Sequence, residues 1–176
     1  MAISRRRLIK RGLSGGLLIA AGGVGLSLQG SLLRQPRGPL KVLDALEFSV
    51  LSAVADRLTP ASDEAPAASV LGVPELVDDT LAAMHPVDVA DVKKMLRTLE
   101  SATLGLLLDL RPTPFTAASP DAQDATLRGW RDSRITVRRS GYKALHKMCT
   151  SAYWGIPETF PLSGYPGPPN FSRGKR

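Results

Sequence analysis

Residues 41–60 read KVLDALEFSVLSAVADRLTP and decide the fold class. Their apolar side chains recur every three or four positions, which places them on one side of an α-helix. These side chains are Leu43, Leu46, Val50, Leu51, Val54 and Leu58. Thr59-Pro60 ends the pattern, because proline has no backbone donor to continue a helix. The stretch therefore predicts a helix from about Lys41 to Leu58.

The same periodicity returns along the rest of the chain, between loops that contain proline. It predicts further helices at about Pro74–Met84, at Val87–Leu110, from Pro120 after an N-cap at Ser119, and at Ile135–Trp154. No segment alternates as a strand does, and no internal repeat is visible. The sequence predicts an all-α fold, a compact bundle of about five helices.

A basic run and an apolar stretch precede this bundle. Ser4-Arg5-Arg6-Arg7-Leu8-Ile9-Lys10 resembles the twin-arginine export motif S-R-R-x-F-L-K, with Leu8 in place of phenylalanine. The 22 uncharged residues from Gly12 to Leu33 have the length of a membrane span, although seven of them are glycine. An export signal is predicted, and its specific residues are Ser4, Arg5, Arg6, Leu8, Ile9 and Lys10. An ordinary amphipathic or membrane-anchoring N-terminus is the alternative.

Cleavage of this signal is left open, because no Ala-x-Ala site closes the apolar stretch. The predicted organisation is a signal peptide or membrane anchor over 1–33, a linker over 34–40, a helical domain over 41–155 and a Pro-rich tail over 156–176. The N-terminal segment is expected to be a helix, and the tail to be irregular.

The charge distribution argues against nucleic acid as a partner. The net charge is +7, but five of these charges belong to the N-terminal basic run. The remaining charge is divided between residues 41–91, with a net of −8, and residues 93–147, with a net of +6. One interpretation is pairing of the two halves within the chain. The other is a docking surface for an acidic partner, with Arg139, Lys143 and Lys147 along one helical face.

Catalytic and cofactor motifs are absent from the sequence. His85 and His146 have no second ligand at metal-binding spacing, and the single cysteine, Cys149, is expected to be a buried small hydrophobe. No haem-attachment, dinucleotide or phosphate-binding motif occurs. No cofactor or metal site is therefore predicted in this chain.

The tail is unusual in composition, with five prolines and five aromatic residues between Tyr153 and Arg176. Proline argues against a helix or a central strand, and the aromatic content argues against a disordered linker. We predict a partner interface here, because extended aromatic segments suit docking. Its residues are Tyr153, Trp154, Tyr165, Pro166, Pro168, Pro169 and Phe171. The alternative is that the tail folds back over its own helices.

Several of these motifs together resemble the gluconate 2-dehydrogenase subunit 3 family. They are Trp130-x-x-Ser133, Tyr153-Trp154-Gly155-x-Pro157 and the Gly-Tyr-Pro-Gly-Pro-Pro segment 164–169. Ala55-Asp56-Arg57-Leu58-x-Pro60 and Gly72-Val73-Pro74-Glu75 look like the first half of that family. The chain departs from the family in having Tyr-Trp for the usual paired tyrosines.

The resemblance implies a non-catalytic small subunit of an exported flavin-dependent sugar or alcohol dehydrogenase. It implies a partner of the glucose–methanol–choline oxidoreductase family that carries FAD, often with a multihaem cytochrome c subunit as electron acceptor. The small subunit would escort its signal-less partner through the twin-arginine translocase to the periplasm, where an uncleaved signal would hold it at the inner membrane. A freestanding membrane-anchored periplasmic scaffold or binding protein, and an enzyme with an unrecognised site, remain as alternatives.

Overall fold

The structure is a computed structural model that describes residues 30–59, 61–62 and 65–167. These residues form seven α-helices and a 3-10 helix, namely α1 (Ala45–Leu58), α2 (Ala68–Leu71), α3 (Val73–Ala82), α4 (Pro86–Glu100), α5 (Ala102–Asp109), α6 (Pro120–Arg131), α7 (Thr136–Trp154) and the 3-10 helix Pro157–Ser163. Over the same residues no strand is present, and Ser62 and Ala65 form an isolated bridge. The predicted all-α fold is confirmed, with more helices than the five expected.

Helix α1 is the centre of the bundle. Nine consecutive residues, from Glu47 to Ala55, are buried, so the helix is enclosed on every side. It packs against α2, α3, α4, α6 and α7. The core around it includes Val77 and Leu81 of α3, Leu96 and Leu99 of α4, Leu127 and Trp130 of α6, and Leu145 and Cys149 of α7.

Helix α1 begins later than predicted because a capping box sets its first residue. The carboxylate of Asp44 accepts a hydrogen bond from Glu47 N at 2.8 Å, and the Glu47 carboxylate accepts one from Asp44 N at 3.0 Å. This reciprocal arrangement holds Asp44 in an extended conformation, with φ −84° and ψ 173°. The helix therefore starts at Ala45 and not at Lys41.

The segment before α1 is held against the bundle by side-chain acceptors. Ser49 Oγ accepts from Arg34 N at 2.8 Å, and the Glu75 carboxylate accepts from Arg37 N at 3.2 Å. Asp78 accepts from the backbone of residues 41–43. Residues 34–40, predicted as a linker, contain no helix and lie along the folded domain.

The predicted helix Val87–Leu110 is in fact two helices. Glu100 at the end of α4 is buried, and its carboxylate accepts from N and Oγ1 of Thr116 at 2.9 and 2.7 Å. Ser101 leaves the helical conformation, with ψ 114°, and its Oγ accepts from Leu104 N as the N-cap of α5. The prediction of one continuous helix is wrong because these contacts end α4 and cap a new helix.

The other boundaries differ by smaller amounts. The loop predicted before Pro74 contains the four-residue helix α2, and α3 begins at Val73. Ser119 caps α6 as predicted, with its Oγ accepting from Ala122 N at 3.4 Å. Helix α7 begins at Thr136, one residue after the predicted start, and ends at Trp154 as predicted.

Some predicted residues lie outside the described part of the chain. They are the export-signal residues Ser4, Arg5, Arg6, Leu8, Ile9 and Lys10, and the tail residues Pro168, Pro169 and Phe171. Among the helices that the structure does describe, none combines the length and the apolarity needed to cross a membrane.

Candidate partner interface

The first part of the predicted tail packs onto the bundle. Ile156 is 6% exposed, and Thr159 is fully buried. The Thr159 hydroxyl is within hydrogen-bonding distance of Tyr153 O at 2.8 Å and of Ile156 O at 2.9 Å, at the end of α7. The expectation that no helix forms in the tail is wrong over Pro157–Ser163, because Pro157 lies in the first turn, where no backbone donor is needed, and the buried Thr159 anchors the segment. This segment covers the core of its own chain.

Adjacent aromatic residues at the end of α7 have opposite environments. Tyr153 is 5% exposed and belongs to the core, whereas Trp154 is 47% exposed. Their rings meet edge to face, with centroids 5.1 Å apart. The Tyr153 ring therefore belongs to the core of the bundle and is not exposed for docking as predicted. The Trp154 ring packs against the ring of Tyr153 and is exposed to solvent over about half of its surface.

Tyr165 forms a second exposed aromatic site beyond the 3-10 helix. Gly164 has φ +69°, a left-handed conformation that glycine adopts without strain, and it turns the chain so that Tyr165 N donates to Phe160 O at 3.1 Å. The Tyr165 ring packs edge to face on Phe160 at 5.1 Å and is 46% exposed. Pro166, which follows, is exposed as well.

Trp154 lies at the end of a basic helical face. Lys143, Lys147 and Trp154 are spaced four and seven residues apart on α7, so they share its outer side, and all three are exposed. Neither lysine forms an ion pair with any residue that the structure describes. Arg139 is partly buried and donates to Ser133 O at 2.6 Å. The face thus offers two free cations beside an exposed indole.

The acidic and basic halves of the chain also pair with each other. Glu47, fully buried on α1, contacts Lys93 at 3.0 Å and Arg97 at 2.8 Å, both on α4. The pKa of Arg97 is raised, mainly by its hydrogen bond to Glu47 and next by the negative charge of Glu47. Pairing within the chain is thus present at α1 and α4, whereas Lys143 and Lys147 form no ion pair with a residue in the described part of the chain.

The histidines and the cysteine have structural positions. His85 is the N-cap of α4, with Nδ1 accepting from Val87 N at 3.3 Å. His146 is exposed, and its ring lies 5.8 Å from that of Tyr142. Cys149 is fully buried, as expected, and burial raises the pKa of its thiol to about 12. Within the described residues no group of histidine, cysteine and carboxylate side chains has metal-binding geometry.

A groove of about 570 Å³ lies between α4 and α7. Its lining includes Val92, Met95, Trp130, Val137 and Ala144, and Gly141 lets Met95 and Trp130 approach the helix closely. Arg138 covers the Trp130 ring at 5.6 Å and forms an ion pair with Asp109. The groove surface is mainly apolar, and its lining also includes the ion pair between Asp91 and Lys94 at 3.2 Å.

Asp56 and Gly72, which belong to the two motifs in the first half of the chain, connect neighbouring helices. Asp56 accepts from N and Oγ of Ser69 at 2.9 and 3.0 Å and pairs with Arg34 at 2.6 Å. It thereby joins α1 to α2 and to the incoming chain. Gly72 has φ +83° and links α2 to α3 without an intervening loop. Both motifs serve the fold, and sequence patterns alone did not reveal that role.

Comparison with protein families identifies the chain. The model of the family described as gluconate 2-dehydrogenase subunit 3 matches residues 45–160, about two thirds of the sequence. The chain belongs to this family. Neither the curated proteins nor the solved structures contain a significant match.

Membership of the gluconate 2-dehydrogenase subunit 3 family makes the chain an accessory subunit of a dehydrogenase complex. The matched region runs from the first residue of α1 into the 3-10 helix. It therefore includes Trp154 and the basic face of α7. Tyr165 and the Gly-Tyr-Pro-Gly-Pro-Pro segment lie beyond it.

Proposed function

We propose that this chain escorts the catalytic subunit of an exported flavin-dependent dehydrogenase through the twin-arginine pathway and stabilises it afterwards. The proposal is carried by one combination, a dehydrogenase accessory-subunit family together with the twin-arginine motif at Ser4–Lys10. The catalytic subunit would be an FAD protein of the glucose–methanol–choline oxidoreductase family without its own signal. A multihaem cytochrome c subunit is a further candidate partner, and the complex would act in the periplasm.

An export signal on a subunit without catalytic groups favours an escort role. The twin-arginine pathway transports folded proteins, so a partner bound in the cytoplasm can cross with the chain that carries the signal. The described residues contain no metal-binding cluster, and the sequence has no cofactor motif. Oxidation of the sugar or alcohol would thus belong to the partner and its FAD.

The exposed surface at the end of α7 favours a docking role. Trp154 and Tyr165 are half exposed, and each is supported by a second aromatic ring. Tryptophan and tyrosine are the residues most enriched at interface hot spots, and their rigid rings lose little conformational entropy on binding. Lys143 and Lys147 would steer an acidic surface of the partner towards them.

The test is export of both subunits in a host that expresses the chain with its FAD-containing partner. Replacement of Arg5 and Arg6 by lysine should leave both proteins in the cytoplasm, because the pathway reads the arginine pair. The measurement is the distribution of the chain, and of FAD-dependent dehydrogenase activity, between periplasm and cytoplasm.

The matched control is Arg7→Lys, which makes the same exchange at the variable position of the motif and should leave export unchanged. Periplasmic dehydrogenase activity that persists in the double variant would reject the escort role. If the chain is retained but the flavoprotein is still exported, the alternative of a freestanding membrane-anchored scaffold or binding protein is favoured.

A further inference from the structure

A cluster of exposed leucines covers the short helix α5. Leu104 is 38% exposed, Leu106 49%, Leu107 67% and Leu110, which follows the helix, 86%. We call these four residues the leucine face, and Leu32 and Leu33 are exposed as well, at 62% and 63%. Monomeric proteins seldom leave large aliphatic side chains grouped in this way unless the surface has a binding role.

The inner side of α5 is fixed, so the leucines cannot turn inward. Arg111 is buried beneath the helix and donates from Nη2 to Leu99 O at 2.7 Å. A Cβ at Gly105 would lie 2.7 Å from that nitrogen, which shows how closely the helix approaches the guanidinium. Arg111 N also donates to Gly105 O at 2.9 Å and closes the end of the helix. The outward direction of the leucines is thus built into the fold.

Leu110 breaks a local rule on this face. Its φ is +54°, in the left-handed region where glycine or asparagine is usual at a helix end. The conformation closes the end of α5, because it lets Arg111 N donate to Gly105 O at 2.9 Å. It also leaves the Leu110 side chain almost completely exposed, which a glycine at this position would avoid.

The leucine face carries no free charge. Asp109 is the only charged residue of α5, and it pairs with Arg138, both side chains being 13% exposed. The face also lacks the tryptophan, tyrosine and arginine that mark protein interfaces, whereas Trp154 and Tyr165 supply them elsewhere on the molecule. Leucine inserts favourably into a lipid bilayer, whereas it is under-represented among the hot spots of protein interfaces.

The chain enters the described structure beside this face. Leu32 N donates to Thr116 Oγ1 at 3.0 Å. Thr116 in turn binds the carboxylate of Glu100, one residue before the N-cap of α5. Leu32 and Leu33 are the last residues of the 22-residue uncharged stretch, which has the length of a membrane span. The point at which this stretch joins the described domain therefore lies beside α5.

We propose that the leucine face rests in the outer surface of the membrane and holds the domain against it. The inference rests on the proposed function only in requiring an exported chain whose N-terminal stretch is retained. The N-terminal stretch would fix the position of the chain, and the leucines of α5 would fix its orientation. Trp154 and Tyr165 would remain free for the dehydrogenase subunit.

The test measures the depth of a nitroxide label attached to the full chain in vesicles of phosphatidylethanolamine and phosphatidylglycerol. Leu107→Cys places the label on the leucine face, and Leu110→Cys gives a second site on it. Val87→Cys is the matched control, because Val87 is also aliphatic and 60% exposed. It lies at the start of α4, whereas α5 follows the other end of that helix. Cys149 is buried and will not compete for the label.

The measured quantity is the ratio of the collision rate with dissolved oxygen to that with an aqueous nickel complex. This ratio should be several-fold higher for the labels at 107 and 110 than for the label at 87. Equal ratios at all three sites would overturn the proposal. Two results without vesicles would also overturn it. Immobilisation of the label at 107 by added flavoprotein would make the face a subunit interface, and immobilisation at high protein concentration would make it a contact between copies of the chain. The vesicles contain no translocase or partner, so failure here is separate from failure of the escort role.

Discussion

At position 78 a buried carboxylate satisfies three backbone donors that have no partner in a helix. Asp78 is 2% exposed and accepts from the N–H groups of Lys41, Val42 and Leu43 at 2.6, 3.1 and 2.8 Å. Hydrogen bonds to an ionised acceptor are stronger than those between neutral groups. This one side chain fixes the direction from which the chain enters α1.

Replacing Asp78 by asparagine should destabilise the domain by about 2–3 kcal/mol. The amide has the same shape but offers one acceptor oxygen and no charge, so at least one buried donor loses its partner. The measurement is the free energy of unfolding in urea. Asp79→Asn is the control, because Asp79 is 53% exposed and pairs only with Lys41 at the surface. That change should stay within about 0.5 kcal/mol, and equal effects of the two would contradict the role of Asp78.

Cys149 should make stability depend on pH in the alkaline range. Burial raises the pKa of its thiol from 9.0 to about 12, so the folded chain keeps a proton that the unfolded chain loses. The stability that the protonated thiol gives is fully present below the pKa of the thiol in the unfolded chain. It is lost as the pH rises from there towards the pKa of the thiol in the folded chain. Between about pH 8 and about pH 10 the free energy of unfolding should fall by about 1 kcal/mol more than in Cys149→Ala. Parallel pH profiles of the two proteins would refute this.

At the scale of elements, the sequence predicts what lies in one helix and misses what depends on distant contacts. The periodicity of residues 41–60 and the cap at Ser119 are local features, and both gave correct helices. The break between α4 and α5 depends on Thr116, which lies sixteen residues from Glu100. The 3-10 helix depends on the buried Thr159, which proline-rich composition does not reveal.

The 3-10 helix should be necessary for the fold, whereas the chain beyond it should not. Truncation after Gly155 removes Ile156 and Thr159 from the core, and loss of one buried aliphatic side chain costs about 2–5 kcal/mol. This variant should unfold at a clearly lower temperature, as followed by circular dichroism. Truncation after Gly167 keeps the 3-10 helix and the Tyr165 contact, and should melt like the full chain. A stable, cooperative transition after truncation at Gly155 would show that the segment is not part of the core.

For the molecule as a whole, the candidate site could be predicted by residue type but not by orientation. Aromatic composition pointed to both Tyr153 and Trp154, yet one is buried and the other exposed. Their difference follows from the rotation of α7, in which neighbouring residues point about 100° apart. The leucine face could not be predicted from the sequence, because its apolar pattern is typical of a helix that faces the core. In the structure α5 packs mainly against α4, so most of its leucines remain exposed.

Loss of Trp154 and Tyr165 together should separate the subunits without unfolding the domain. Each ring is about half exposed, and aromatic hot-spot residues contribute about 2 kcal/mol or more to binding, so Trp154→Ala with Tyr165→Ala should weaken affinity by roughly a thousandfold. The measurement is the dissociation constant for the FAD-containing subunit, with circular dichroism as a check on folding. Val137→Ala is the control, since Val137 is 79% exposed on the same helix but lies at its other end. If the double variant stays folded and binds as tightly as Val137→Ala, the partner docks elsewhere on the bundle.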